Sequence, residues 1–499
     1  MGNTLYDSLL GRFAGKTTPF ITLVNGTIIS HGDFLRLVAR YAHTLKDTGL
    51  NVGDRVGVQI EKSEHALAVY AACLQAGFVF LPLNTAYTPE EVGYFLEDSG
   101  AKVFLTGTPD DPAINALANR LNITLFGLSG EGSGSFANNA EGKDEIFETV
   151  ARSGSDLAAF LYTSGTTGRS KGAMLTHDNL LSNAKALAQY WRFSERDVLL
   201  HALPVFHSHG LFVATNVALL SGASIVLLPR FSLEHILKVL PHCTVMMGVP
   251  TFYTRLLSDP RLTRAATAHM RLFISGSAPL LEAIHVEFEA RTGHRILERY
   301  GMTETNMNTS NPYEGERRAG TVGFPLPGVE IKITDPDTGA SVTDGDIGMI
   351  EVRGPNVFVG YWQMLEKTKE ELRPDGFFIT GDLGKVDKDG YLHIVGRNKD
   401  LIIAGGYNIY PKEVEMMLDT MPGVLESAVI GVPDTDLGEK IVAILVPQAK
   451  EKPDVEAIAS GLAQKLARFK CPAHYELLDE LPRNTMGKVQ KNVLREQFS

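Results

Sequence analysis

The sequence predicts an α/β protein with a large multi-layer N-terminal domain, two α/β subdomains plus a β-rich subdomain, followed by a small α+β C-terminal domain. Three observations carry this. Over the first ~125 residues, segments of helical and strand period alternate, the signature of layered α/β architecture. From about 320 to 396 the texture changes to short strands between Gly/Pro/Asp turns. Beyond Arg397, roughly a hundred residues carry helix and strand signals of their own. The boundary is therefore set between residues 1–397 and 398–499.

In chain order, His31 to Leu45 places apolar residues at helical spacing, Arg55-Val-Gly-Val-Gln-Ile is a strand and Glu64 to Ala76 a helix. Residues 127–144, rich in Gly, Ser and Asn, predict an exposed surface loop. Leu157-Ala-Ala-Phe-Leu-Tyr is a short apolar strand running into a glycine-rich loop. The turns of the β-rich subdomain are Pro336-Asp-Thr-Gly, Asp344-Gly-Asp-Ile-Gly and Asp387-Lys-Asp-Gly. In the C-terminal domain, Pro411 to Met421 predicts a helix, and Ala428 to Val432 and Ile441 to Val446 predict strands.

Composition narrows the function. With 47 Lys+Arg against 58 Asp+Glu in 499 residues the net charge is −11, which argues against general nucleic-acid binding, since phosphate contacts need clustered Lys/Arg. Cys73, Cys243 and Cys471 lie far apart with no C-x-x-C. They predict small buried hydrophobes in a reducing, cytoplasmic setting rather than disulfides or a zinc site. The N-terminus has no apolar core of a secretory signal, and Tyr6 breaks the myristoylation pattern. The most apolar long stretch, Leu211 to Leu228, is interrupted by Thr215, Asn216, Ser221, Gly222 and Ser224, so it predicts buried core and no membrane span.

The strongest motif is Tyr162-Thr-Ser-Gly-Thr-Thr-Gly-Arg-Ser-Lys-Gly172. Its glycines allow successive N–H groups to converge on an anion, while hydroxyls and Lys171 add donors and charge. Gly172 follows the lysine, so this is not a Walker A loop. Gly168 to Gly172 also fits the G-x-S-x-G pattern of a serine nucleophile, but that motif needs a strand–turn–helix setting. Here a second strand, Gly172-Ala-Met-Leu, is expected to follow, so phosphate binding is the preferred reading and Ser170 is not assigned as a nucleophile.

Further segments follow in order: Pro204-Val-Phe-His-Ser-His-Gly210, Ser275-Gly-Ser-Ala-Pro279, Glu298-Arg-Tyr-Gly-Met-Thr-Glu-Thr305, Thr380-Gly-Asp382, Gly396-Arg-Asn-Lys-Asp400 and Pro482-Arg-Asn-Thr-Met-Gly-Lys488. Singly most are weak. As an ordered set they resemble the adenylate-forming superfamily of acyl-CoA synthetases, adenylation domains and luciferases over essentially the whole chain. Within it the stretches LPLNTAYT, GVPTFYTRLL, ERYGMTETNMNTSNPY and LPRNTMGKVQKNVLRE are most similar to the malonyl-CoA synthetases.

The resemblance implies ATP, Mg²⁺ and coenzyme A as cofactor and co-substrates, and an acyl-AMP intermediate whose acyl group passes to the thiol. It implies that Thr163, Ser164, Gly165, Thr166, Thr167, Gly168 and Lys171 hold the β/γ-phosphates. Ser277 and Ala278 would bracket the adenine, with Tyr300 as an aromatic platform beside Thr303. Asp382 would accept the ribose hydroxyls next to Arg397, and Glu304 with Thr163 would ligate Mg²⁺. Lys488 matches the catalytic lysine that bridges the attacking carboxylate and the α-phosphate, whereas Lys491 is expected to be an ordinary surface charge. Lys399 is the expected hinge of a mobile C-terminal domain that would bring Gly405 and Gly406 to the pantetheine arm. His207 would sit at the mouth of the acyl pocket, shaping it and gating the thiol.

A dicarboxylate needs a cation for the carboxylate that does not react, and Arg299 and Arg255 are the two candidates. Such a pocket should reject acetate by something on the order of 10⁴. The alternative leaves Arg255 solvated on its helix and Arg299 paired with Glu298. Met302 and Met307 are candidates for shaping the space at the central methylene. Competing functions are ligation of another short or aryl acid, and loading of a carrier protein. An acetyltransferase acting on exposed Lys488 is the candidate macromolecular partner.

Overall fold

The computed structural model describes residues 2–163, 170–404, 407–435, 437–448, 453–484 and 487–498. Its contacts divide the chain into two compact units, Met1–Glu330 with Val352–Phe378 and Ile331–Glu351 with Ile379–Ser499. About half of the β-rich stretch is thus grouped with the C-terminal residues and half with the first unit.

The first unit contains two sheets. Among the described residues one has six strands, in the order Thr124–Gly127, Val103–Thr106, Arg55–Gln59, Val79–Pro82, Leu157–Thr163, Lys171–Thr176. The strands Val79–Pro82 and Val103–Thr106 are buried at every position, as expected of parallel strands covered on both faces. The expected helices appear as His31–Lys46 and Glu64–Ala76. A capping box of Thr88 and Glu91 starts the helix Pro89–Ser99, and Gly100, at φ 60°, ends it.

The 127–144 segment departs from the expected loop. It contains the helix Ser135–Ala140, because Phe136 is fully buried and packs on Tyr41 and Phe126, ring centroids 4.9 and 5.5 Å away. One aromatic anchor outweighs the turn-forming composition around it.

Among the described residues the second sheet of this unit has nine strands, with Val198–His201, Val245–Gly248, Leu272–Ser275 and Leu297–Met302 side by side within it. The apolar stretch Leu211 to Leu228 is core, as expected. It completes a π-helical segment His209–Thr215, continues as Asn216–Ser221 and ends in the strand Ser224–Leu227. No described helix is long and apolar enough to cross a membrane.

Among the described residues the second unit holds the greater part of a four-stranded sheet, Glu330–Thr334, Gly348–Arg353, Phe378–Val386 and Leu392–Arg397, and a five-stranded one centred on Val424–Asp434 and Gly438–Pro447. The expected helix starts at Pro411 and ends at Leu418. Its Val414 and Leu418 pack with Ile409, Leu445 and Leu462 in this unit's core. Lys491 is not a free surface charge: its ammonium pairs at 2.6 Å with Glu415, a buried carboxylate.

Candidate active site

The glycine-rich loop leaves the strand Leu157–Thr163 and returns as Lys171–Thr176, antiparallel, with Thr163 opposite Lys171. The expected phosphate-binding residues Ser164, Gly165, Thr166, Thr167 and Gly168 lie outside the described residues. The strand–loop–strand setting removes the context a serine nucleophile elbow requires, and the Ser170 carbonyl accepts a hydrogen bond from the Tyr94 hydroxyl at 2.7 Å.

Lys171 is buried, with Nζ 3.1 and 3.3 Å from the two carboxylate oxygens of Glu371 and 4.2 Å from the centre of the Tyr361 ring. The Tyr361 hydroxyl reaches Glu371 Oε2 at 2.6 Å and Glu304 Oε1 at 3.1 Å. Lys171 and Glu304, expected at the phosphates and at the metal, are therefore joined through Tyr361 and Glu371. Sequence reading missed both linking residues. Tyr361 stands in a Gly-Tyr-Trp turn that gives no chemical signal, and Glu371 is one of several acids on a charged helix.

Arg299 lies on the strand Leu297–Met302, whose Glu298 pairs with Ser275 in register. Only 3% exposed, Arg299 has no hydrogen-bond partner at Nε or Nη2. Burial pushes its pKa down to about 9. Glu298 does not neutralise it, since neighbouring strand residues point to opposite faces. Glu298 Oε1 instead lies 3.5 Å from His285 Nδ1 and accepts from the Gly320 N–H at 3.3 Å. His209, also buried, shares a hydrogen bond of 3.2 Å between Nδ1 and the Ser277 hydroxyl, while its Nε2 has no partner. Burial first, then the nearby Arg299 charge, holds His209 neutral, its pKa well below the usual histidine range. Ser277 itself adopts φ 73°, a conformation unusual outside glycine that is found where surrounding structure over-determines the backbone. Ala278, Tyr300, Met302 and Thr303 are half-buried on the same run of strands and turns, Met307 is buried, and His207 is half-buried with its ring 4.8 Å from Phe206.

Arg255 is not brought into that setting. On Pro250–Leu257 the buried face is taken by Phe252, Tyr253, Leu256 and Leu257, which turns Arg255 outward, exposed, with its guanidinium 5.4 Å from the Phe231 ring.

In the second unit Asp382 is buried and faces Arg397 across two antiparallel strands, with a 2.7 Å ion pair between them. Lys399 is exposed in the turn Asn398–Asp400, and Asp400 is anchored to Arg495 at 2.7 Å. Gly405 and Gly406 lie outside the described residues. Lys488 is exposed and tied to Asn484 by reciprocal bonds: the Lys488 N–H donates to Asn484 Oδ1 and the Asn484 N–H to the Lys488 carbonyl, both at 3.0 Å. Gly487, next to it, adopts φ 73°, which favours glycine.

The chain belongs to the AMP-binding enzyme family, whose model matches residues 12–362 and whose C-terminal domain model matches residues 413–488. It is an AMP-forming acyl-CoA ligase in class, and ATP and coenzyme A are the family's co-substrates. It is 35% identical to a malonate–CoA ligase of Arabidopsis thaliana, over 89% of this chain and 78% of that protein. It is also 35% identical to a feruloyl-CoA synthase of an Amycolatopsis species, over 97% of each chain. Among solved structures it is similar to ATP-bound MatB from Rhodopseudomonas palustris, 54% identical with a TM-score of 0.97 over 100% of this chain and 99% of that one.

Proposed function

We propose that the protein ligates malonate to coenzyme A through malonyl-AMP, giving malonyl-CoA, AMP and pyrophosphate. The observation that carries this reading is Arg299, a buried guanidinium with two unpartnered nitrogens. A cation so placed is costly to the fold unless an anion completes it, and a guanidinium fork matches a carboxylate. Arg255, being exposed, adds little to the selection, because a solvated cation needs no substrate partner.

In the first half-reaction one malonate carboxylate attacks the α-phosphorus of ATP. A P–O bond forms to the carboxylate and the bond to pyrophosphate breaks. Thr163 to Gly168 and Lys171 hold the β- and γ-phosphates, and Ser277, Ala278, Tyr300 and Thr303 hold the adenine side. Asp382 and Arg397 hold the ribose, and Lys488 stabilises charge on the attacking carboxylate and α-phosphate. Glu304, a buried carboxylate linked through Tyr361 and Glu371 to Lys171, has the hard oxygen donors that suit Mg²⁺ and would hold it together with Thr163. When bound, Mg²⁺ offsets phosphate charge. In the second half-reaction the thiol of coenzyme A attacks the acyl carbon and AMP leaves. The C-terminal residues 398–499 turn about Lys399 between the two, bringing Gly405 and Gly406 to the pantetheine, and His207 gates the thiol's approach. Exposed Lys488 is also the site at which an acetyltransferase would switch the first half-reaction off. A cytoplasmic location accords with the three free cysteines.

The feruloyl-CoA synthase likeness favours a second reading, an aryl or other short acid as substrate. The test is the mass spectrum of products from ATP, Mg²⁺, coenzyme A and equal malonate, methylmalonate, succinate, acetate and 4-coumarate. Predominant malonyl-CoA is expected. Predominant coumaroyl- or acetyl-CoA would discard the dicarboxylate reading and keep the ligase. Pyrophosphate without any thioester would point to a carrier protein as acceptor.

A further inference from the structure

We propose that Glu371 is a competing counter-ion for the phosphate-binding lysine, and that Tyr361 sets how readily Glu371 gives that lysine up. The proposal rests on the reading of Lys171 as a ligand of the ATP phosphates.

Both Glu371 oxygens face the Lys171 ammonium, at 3.1 and 3.3 Å. A triphosphate drawn to Lys171 competes with this carboxylate for the same N–H donors and is repelled by its charge. Glu371 has two further partners that do not depend on Lys171: Lys367 at 3.0 Å from Oε1 and the Tyr361 hydroxyl at 2.6 Å from Oε2. Release of Lys171 therefore leaves no orphaned carboxylate, which keeps the exchange inexpensive. Tyr361 has one hydroxyl proton and two carboxylate acceptors, Glu371 and, at 3.1 Å, Glu304. Its shorter bond goes to Glu371, weakening that residue's hold on Lys171. Tyr361 is 2% exposed and Lys171 8%, while the Glu371 side chain is 21% exposed, so water screens these interactions only in part.

The two residues are positioning residues, acting through Lys171 rather than on substrate, and opposite signs distinguish their role from a structural one. Calorimetric titration of Mg²⁺-free ATP and of pyrophosphate, in excess chelator, reads the lysine without the metal. Glu371→Gln keeps the size and removes the charge, and should lower Kd about three- to tenfold. Tyr361→Phe removes only a hydroxyl, leaves Glu371 to hold Lys171 harder, and should raise Kd about threefold. Lys171→Ala should lose most of the binding. Weakened or unchanged binding in Glu371→Gln, with binding lost in Lys171→Ala, would overturn the counter-ion role alone. Wild-type affinity in Lys171→Ala would overturn it together with the phosphate reading of Lys171.

Discussion

The Arg299 guanidinium packs against the backbone of Gly276 so closely that a Cβ added at Gly276 would stand 2.4 Å from Arg299 Cζ. No side chain fits between the two, and Ser277, next along, holds His209 by its hydroxyl. The segment Ser275 to Ser277 thus seats both buried groups, the cation and the neutral imidazole, from one short piece of backbone.

Gly276→Ala should push the guanidinium aside. For a displacement of this size the malonate kcat/KM is expected to fall about 10²-fold, while any residual acetate activity stays within a few-fold. Parallel steady-state kinetics on the two acids check this. Equal losses on both would mean general damage to the nucleotide side of the site.

Arg299→Met should stabilise the protein while disabling malonate selection. Removing an uncompensated buried charge in favour of an apolar side chain of similar length is worth about 1–3 kcal/mol. The apparent Tm should rise by several degrees and no longer respond to added malonate, which raises the wild-type Tm by binding the folded state. A lower Tm in the variant, with the malonate response intact, would remove Arg299 from the acid site.

Lys488→Ala should abolish malonyl-AMP formation and leave transfer from supplied malonyl-AMP to coenzyme A largely intact. Separate assays of pyrophosphate release and thioester formation resolve the two. Equal loss of both half-reactions would count against a lysine that serves only the first. Stoichiometric acetylation at Lys488 should have the same pattern as Lys488→Ala, since it removes the same charge. Full activity of the acetylated protein would exclude a switch there.

Asp419 supplies a pH dependence of stability in the second unit. Burial raises its carboxyl pKa to about 6, against opposing help from Lys412 and from the Ser427 hydroxyl, which donates to it at 2.7 Å. A folded-state pKa above the unfolded value means the folded protein binds the proton more tightly. The resulting stability is present below about pH 4 and is lost as pH rises through about 6. Asp419→Asn should therefore gain stability relative to wild type at pH 8, by about 3 kcal/mol, and little at pH 4. Denaturant midpoints at the two pH values test it, and a pH-independent difference would contradict it.

Many candidate site residues are legible because the motifs that carry them are local in sequence. The glycine-rich loop, the Ser-Gly-Ser-Ala turn and the Asn-Thr-Met-Gly-Lys tip each announce their conformational demands within a few residues, through glycines and hydroxyls that turns require. Regular elements with strong periodicity, such as Glu64–Ala76, matched to the residue. The 127–144 segment did not, because a single apolar residue, Phe136, found a partner far away in the chain at Tyr41.

The chain by itself determined the family and the layered α/β plan, and it named the candidate groups for the nucleotide, since these depend on residue type and order. Only the tertiary structure separated the two arginines, burying Arg299 without a partner and turning Arg255 to solvent. It alone set Glu371 on Lys171 and Lys491 on Glu415. The physical reason is common to all of these. The charge a side chain feels depends on which groups the fold brings within a few ångströms and how much water it removes, and neither quantity is written in the spacing of residues along the chain.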